Sequence, residues 1–577
     1  MLSDDNDSKK LWKFIKSRKT DTIGISPLTN AGIAYSDSQA KSDILNEQFC
    51  SVFTVEDPNI PSLGVSKYPD MPEIIVSIAG VRTLLRKLNP GKASGPDNIS
   101  GYLLKPLADE LAPALVLLFN KSLQTGEIPS IWKHALVQPL FKKGDRSRAA
   151  NYRPISLTCI CCKMLEHIIR REITIHLENQ DILADAQHGF RQKRSCETQL
   201  LLTVDELASN IDAGSQTDII LLDFSKAFDK VPHQRLLAKL DYYGIRGRSH
   251  AWIRSFLGDR SQQVVVESKT SYTGAVISGV PQGSVLGPTL FLVYINDLCD
   301  NLNSTVRLFA DDTSLCEKIS TVSDADRLQS DLDKLCEWER KWQMDFNVEK
   351  CNSLTVTLRK NPIIYNYQLN GQTLERVDSA KYLGVTLVRS LNWSKHTSTI
   401  AATANKTSAF IHRNLKGCPR KIQTQCYKSL VRPILEYAST VWCPYQKDAI
   451  AKLEMVQRRT AHRINRDFSR ETSASQLFTQ LDLDTLKSRR DISKATMMYR
   501  IMNGIVDVKP IVGTITPSAR QTRVQHRLMV PHTRTNVRLH SFFPSAIRIW
   551  NSLPEAAASA PSIETFKTAM KGWCLDE

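Results

Sequence analysis

No apolar run in this 577-residue chain approaches the about 18 residues of a membrane-spanning helix, which excludes an integral α-helical membrane protein. The opening MLSDDNDSKK is charged where a secretory signal would be apolar, so the chain reads as intracellular; nothing in it separates nucleus from cytoplasm. The 13 cysteines are odd in number and scattered, and the one CxxC, Cys159 to Cys162, has no second CxxC or HxxxH nearby. That argues for reduced thiols and against a disulfide scaffold or zinc module. Fixed-period repeats and long low-complexity tracts are also missing, which excludes solenoids. Acidic charge is scarce: 59 Asp and Glu stand against 76 Lys and Arg, a formal net charge of +17. With a membrane span excluded, that surplus points to nucleic acid. It is unevenly placed. Residues 401–577 carry 28 Lys and Arg against 13 Asp and Glu, a surplus of 15, which leaves only 2 for the first 400 residues.

Patterning along the chain predicts an α+β protein. Residues 11–18, LWKFIKSR, form an amphipathic patch, and residues 54–73 carry four prolines and read as a linker. IAGVRTLLRKLN and YLLKPLADELAPALVLLFNKSLQTG have helical spacing, ALVQPLFKKGD reads as a strand with a basic turn, and TQLLLTVDELASNIDAG as a helix. TDIILLDFSKAFDKV is a buried strand entering a helix. SQQVVVES and SYTGAVISGV read as a strand pair, SVLGPTLFLVYINDLCDNL as a helix, and CNSLTVTL and KYLGVTL as strands, with the helix ADRLQSDLDKLCEWERKWQM before them. Past Trp393 the strand signals fade. SKHTSTIAATANKTSAFIHRNLKG, KIQTQCYKSLVRPILEYASTVW and KDAIAKLEMVQRRTAHRINR predict a basic three-helix bundle. The stretch from about Gly513 reads as irregular, ending in an amphipathic run near IETFKTAMKGW.

One segment raises a chemical question. VRLFADDTSL reads as a β-hairpin with two adjacent carboxylates, Asp311 and Asp312, at its tip. Alone it is an ordinary turn, since Asp tolerates turn geometry. The strand IILL, however, ends in Asp223, 88 positions earlier. Three carboxylates brought together repel one another unless cations hold them. Hard divalent cations take such oxygen ligands together with substrate phosphates, and two of them clamp an in-line phosphoryl displacement.

The ordered segments KKGD…NYRPISL (142–157), QHGFRQKRSCETQL (187–200), LLDFSKAFDKV (221–231), GVPQGSVLGPTLFLVYINDL (279–298), FADD (309–312), NVEKC (347–351) and KYLGV (381–385) resemble the reverse transcriptases of non-LTR retrotransposons, jockey-like and related animal elements above all. The motif-level match covers roughly residues 85–390. The resemblance implies a right-hand polymerase: α+β fingers and palm with an antiparallel sheet, then an all-α thumb and a C-terminal extension. On that layout residues 1–75 are an N-terminal segment and linker, 76–217 the fingers region, 120–390 the reverse transcriptase domain with its palm core at 218–390, 391–500 the basic thumb and connection, and 501–577 the extension.

The same resemblance implies the chemistry. Asp223, Asp311 and Asp312, with the backbone carbonyl of Phe224, would bind two Mg²⁺ ions, Mn²⁺ being the alternative. Lys143, Arg153, Phe228, Gln282 and Gly283 would bind the incoming dNTP, with the Phe228 ring excluding a ribose 2′-OH. Lys350 would help pyrophosphate leave, and Arg191, Lys193 and Arg194 would hold the template backbone; Asp229 reads as structural. The partners implied are an RNA template, a DNA primer and dNTPs; no protein partner is legible. Only about 75 residues precede the polymerase region, too few for the upstream endonuclease of such elements, so the chain reads as a truncated frame or one whose start lies further upstream. Two alternatives stay open: a catalytically idle nucleic-acid-binding relic, and an RNA-dependent RNA polymerase, against which Phe228 argues.

Overall fold

ALVQPLF alternates in burial and forms β1 (His134–Phe141), paired antiparallel with β2 (Tyr152–Leu157), Leu140 opposite Arg153. The computed structural model describes residues 24–467, 469, 472–508, 515–517 and 526–571; the amphipathic patch at 11–18 and parts of the stretch after Gly513 lie outside them. Upstream, α1 (Ala108–Thr125) packs through Val116 and Phe119, and Gly126 ends it in the left-handed region at φ +70°. The proline-rich residues 54–73 are laid along the body of the protein. Glu56 accepts the N–H groups of Gln234 and Arg235 and pairs with the Arg235 guanidinium, and the Met71 N–H donates to the Gly244 carbonyl.

After β2 come α2 (Ile160–Asn179) and α3 (Cys196–Asp212), the latter started by a reciprocal Ser195–Thr198 capping box. The IILL run is the centre of β3 (Gln216–Leu222), buried at every position. Because side chains alternate along a strand, β3 divides two cores. Ile220 and Leu222 enter one with α1 and α2, while Ile219 and Leu221 enter the other with α3. The next strand, β4 (Arg260–Val266), pairs parallel with β1 and antiparallel with Gly274–Val276, the expected strand pair.

Helix α4 (Gly287–Ile295) is apolar all round and lies in the first core. The hairpin of β5 (Thr305–Phe309) and β6 (Asp312–Ile319) follows, then α5 (Val322–Trp342) and β7 (Asn352–Val356). The central sheet runs β7–β3–β6–β5, all antiparallel, with Glu375–Arg376 parallel on the β7 edge.

Three predicted elements differ. KYLGVTL is a tight hairpin, β8 (Ser379–Tyr382) and β9 (Val385–Val388), because Leu383 and Gly384 both take positive φ, 42° and 88°, as a two-residue turn requires. KIQTQCYKSLVRPILEYASTVW is not one helix. Pro433 has no N–H to donate, the backbone widens into an i→i+5 turn at Tyr427–Val431 just before it, and Ala438 breaks the run at φ +51°. In the C-terminal stretch, FFPSAIRIWN forms a helix that was not expected.

The remaining helices, α6 (Ser394–Leu415), α7 (Lys447–Asn465), α8 (Leu486–Met502), α9 (Phe542–Asn551) and α10 (Ile563–Ala569), all contribute to the second core. The C-terminal residues are thus built into the same core as the helical region before them. A buried Arg538–Asp205 ion pair ties them to α3. No helix among the described residues is long and apolar enough to cross a membrane.

Candidate active site

The β5–β6 register ends at Asp312 opposite Phe309, which leaves Ala310 and Asp311 as a two-residue turn with Ala310 at φ +54°. On the other side β6 pairs with β3, Thr313 opposite Leu222, so the turn lies beside Asp223 at the end of β3. A third segment is tied to the same point. The Asn347 N–H donates to the Asp223 carbonyl at 2.7 Å and the Ser225 N–H to the Asp345 carbonyl at 2.9 Å, while Phe224 stacks on Phe346 with ring centroids 4.4 Å apart. These contacts bring Lys350 to Asp223, Nζ to Oδ2 at 2.8 Å.

The carboxylates are electrostatically uncomfortable. Removal from bulk water, then Asp223, pushes Asp311 above the usual aspartate range. The same desolvation, with Asp311 and Asp223 beside it, pushes Asp312 up to about 6. Lys142 faces them across the cleft; burial, then Arg153 and Lys350, hold its ammonium below the usual lysine value. Among the described residues no three His, Cys, Asp or Glu side chains close into a preformed metal cage. What is present is a set of hard oxygen donors from two chain segments, the chemistry that suits a divalent cation completed by substrate oxygens.

A cleft of about 490 Å³ opens onto Asp223 and Asp311. Lys143, Arg153, Phe228, Gln282 and Gly283, the whole set expected to bind nucleotide, line it together with Lys350. Phe228 is half-buried and held, its ring stacked on Phe291 at 4.5 Å and touched edge-on by Phe190 at 6.4 Å. Gln282 is oriented by Asp229, whose Oδ1 accepts from Gln282 Nε2 at 2.8 Å; burial pushes that carboxyl up to about 6. Asp229 therefore positions a residue of the cleft. Gly283, at φ +110°, lies so close to β2 that a Cβ would come 2.6 Å from the Ser156 carbonyl oxygen, while Gln282 O accepts the Ser156 N–H at 2.7 Å.

The basic template set is divided. The Arg191 guanidinium is bound to Glu178 at 2.6 Å, and Arg194 to Asp507 at 2.5 Å and Asp185 at 2.9 Å, both with side chains about a tenth exposed or less. Both arginines are engaged in ion pairs within the protein; of the three, Lys193 is the exposed one. Sequence reasoning missed other residues. Lys142 and Lys226 line the cleft, the first visible only as the neighbour of Lys143, the second in LLDFSKAFDKV. Gln187 holds the Ala310–Asp311 turn: its Oε1 accepts the Ala310 N–H at 2.9 Å.

Comparison with known proteins agrees with the geometry. The family described as "Reverse transcriptase (RNA-dependent DNA polymerase)" matches residues 141–387. The chain is 30% identical over 409 residues to "RNA-directed DNA polymerase from mobile element jockey" of Drosophila melanogaster, covering 68% of this chain and 44% of that protein. It is 29% identical over 490 residues to the protein of the same name from Drosophila funebris, covering 80% and 53%. It is 27% identical over 522 residues to "Probable RNA-directed DNA polymerase from transposon BS" of Drosophila melanogaster, covering 85% and 56%. The chain spans about half the length of these curated relatives.

Proposed function

We propose that the chain is an RNA-directed DNA polymerase of the reverse transcriptase family found in non-LTR mobile elements, extending a DNA primer 3′-OH with dNTPs on an RNA template. One observation carries the proposal. Carboxylates from the end of β3 and the β5–β6 turn open onto a single cleft that also holds every residue expected to bind nucleotide.

The layout inferred is the right hand read from the sequence, with 76–217 as the fingers region, 218–390 as the palm core, 391–500 as thumb and connection and 501–577 as an extension; helices of the last two regions share one core, which supports grouping them. Asp223 and Asp311 would hold two Mg²⁺ ions, with Asp312 and the Phe224 carbonyl in support. When bound, the ions supply charge neutralisation at the attacking and leaving oxygens.

The protein's own groups do the rest. Lys143, Arg153 and the neighbouring Lys142 neutralise the triphosphate, the guanidinium as a planar fork. Lys350, paired with Asp223 at 2.8 Å, would donate a proton to the departing pyrophosphate or neutralise its charge. Phe228, fixed between Phe291 and Phe190, stands where a ribose 2′-OH would collide. The thumb contributes α6, which has no acidic residue, lying beside α7 with the Ser408 and Thr460 hydroxyls 2.8 Å apart. Lys395, Lys406 and Arg413 on α6, with Lys452, Arg458 and Arg459 on α7, are exposed, and such basic helices suit sequence-independent contact with a duplex backbone.

The test is primer extension: purified chain, RNA template, labelled DNA primer, Mg²⁺, and either dNTPs or rNTPs. Extension with dNTPs that is lost in the Asp311→Ala Asp312→Ala double variant is the expected result. Extension that survives the double variant, or a wild type that binds duplex but never extends it, overturns the reading; preference for rNTPs would make the enzyme an RNA polymerase.

A further inference from the structure

The turn that carries Asp311 is held from outside its own hairpin. Gln187 is 3% exposed, and its Oε1 accepts two backbone N–H groups, Ala310 at 2.9 Å and Gly189 at 2.7 Å. The surrounding segment lies along the outer edge of β5: Leu308 N–H donates to the Ala186 carbonyl at 2.9 Å, and His188 N–H to the Leu308 carbonyl at 2.8 Å. The approach is so close that a Cβ on Gly189 would come 2.3 Å from the Ala310 nitrogen. Gln187 also bears a cost. Its amide nitrogen is buried with no hydrogen-bond partner among the described residues, which disfavours glutamine unless its oxygen is needed.

The clamp is itself anchored from the C-terminal part of the chain. Arg194 Nη1 donates to the Asp185 carbonyl at 2.6 Å and the Gln187 carbonyl at 3.0 Å, while its Nε and Nη2 donate to Asp507 Oδ2 at 2.8 and 2.5 Å. The Asp507 N–H returns to the Lys193 carbonyl at 3.0 Å. Asp507 follows α8, whose Met498 and Tyr499 share the second core with Phe543 and Phe566 of the C-terminal helices. A path of hydrogen bonds, joined through the covalent frame of Gln187, therefore runs from Asp507, just past α8, through one arginine to the backbone N–H of Ala310.

We propose that Gln187 and Asp507 are positioning residues for the polymerase reaction, fixing the Asp311 turn through Arg194 and so making metal binding at the cleft depend on the C-terminal helical region. The proposal rests on the polymerase reading. Neither residue lines the cleft, so their removal leaves substrate contacts in place and displaces only the carboxylate. A displacement of about 1 Å at a reacting group costs on the order of a hundredfold in rate.

The experiment uses the full chain with an RNA–DNA primer–template and compares wild type with Gln187→Met, Asp507→Asn and Asp507→Glu. Three quantities are measured: Mn²⁺ bound, by electron paramagnetic resonance; kcat and KM for single dNTP addition; and Kd for the primer–template. Gln187→Met and Asp507→Asn lower kcat by about ten- to a hundredfold and weaken Mn²⁺ binding, with KM and Kd near wild type. Asp507→Glu, which keeps the carboxylate, recovers most of both losses. Unchanged kcat and Mn²⁺ binding overturn the proposal, as does a loss that falls equally on primer–template binding, the sign of general unfolding. Should Asp507→Asn fail to fold, Gln187→Met, similar in volume, decides alone. A wild type that binds Mn²⁺ without extending primer removes the polymerase reading, and the Mn²⁺ comparison still judges the clamp.

Discussion

The ammonium of Lys350 donates to the Asp223 carboxylate at 2.8 Å, joining a short loop before β7 to the end of the central strand 127 positions earlier in the chain. In the proposed reaction this places a proton donor next to the carboxylate that holds metal. Replacing Lys350 with alanine should lower the single-turnover rate of dNTP addition by about 10²-fold, the range of a general acid. The dNTP dissociation constant should move only a few-fold. A rate within twofold of wild type would return Lys350 to an ordinary surface lysine.

Asp312 makes stability depend on pH. Desolvation, then Asp311 and Asp223, raise its carboxyl to about 6 in the folded protein, above the about 4 of an unfolded aspartate. The folded state thus holds the proton more tightly, and the ionised carboxylate weakens the fold as pH rises through 6. Asp312→Asn should raise the Tm above pH 6, with a gain that shrinks between pH 6 and 4 and vanishes below. Mg²⁺ should raise the Tm of wild type at pH 7 more than that of the variant. A pH-independent gain across the same range would contradict this assignment.

Gly283 tests the joint between the nucleotide loop and β2. A Cβ there would come 2.6 Å from the Ser156 carbonyl oxygen, in a backbone conformation of φ +110° that side chains rarely adopt. Gly283→Ala should raise KM for dNTP and lower kcat together, because Gln282 moves with the loop. Unaltered dNTP kinetics would show that the loop does not touch nucleotide.

The Asp205–Arg538 pair tests whether the C-terminal helices belong to the same folding unit as α3. Burial pushes the Asp205 carboxyl up while Arg538 opposes it, so removing the arginine leaves an uncompensated buried acid. Arg538→Ala should destabilise the protein by about 3–5 kcal/mol in equilibrium denaturation, and replacing both partners with apolar residues by much less. Equal losses in single and double variants would argue against the pair.

Local pattern accounts for what was legible beforehand. IILL could only be a strand with two covered faces, FADD between two alternating runs could only be a turn, and both form as expected. The residues expected to bind nucleotide line one cleft, and each lies in a compact motif. What escaped depends on contacts that no periodicity records. The charge of Arg194 is plain in the sequence, but its partner Asp507 lies 313 positions away, so the internal pairing of that arginine was not legible. Gln187 opens the QHGFRQKRSCETQL segment, but its partner Ala310 lies 123 positions away and nothing local names it. LGV lacks the Asn-Gly or Asp-Gly signature of a hairpin, so β8 and β9 read as one strand. Pro544 obscured the helix Phe542–Asn551, though a proline in the first turn displaces no hydrogen bond.

The central claim is that Asp223 and the Asp311 turn form the catalytic core of an RNA-directed DNA polymerase. Its most direct measurement is the rate of single dNTP addition to a DNA primer on an RNA template at saturating Mg²⁺, wild type against Asp223→Asn. The substitution keeps the shape of the side chain and removes its charge. The account predicts measurable addition by wild type and a loss of about 10³-fold or more in the variant, with primer–template affinity retained. Equal rates in the two proteins would contradict it.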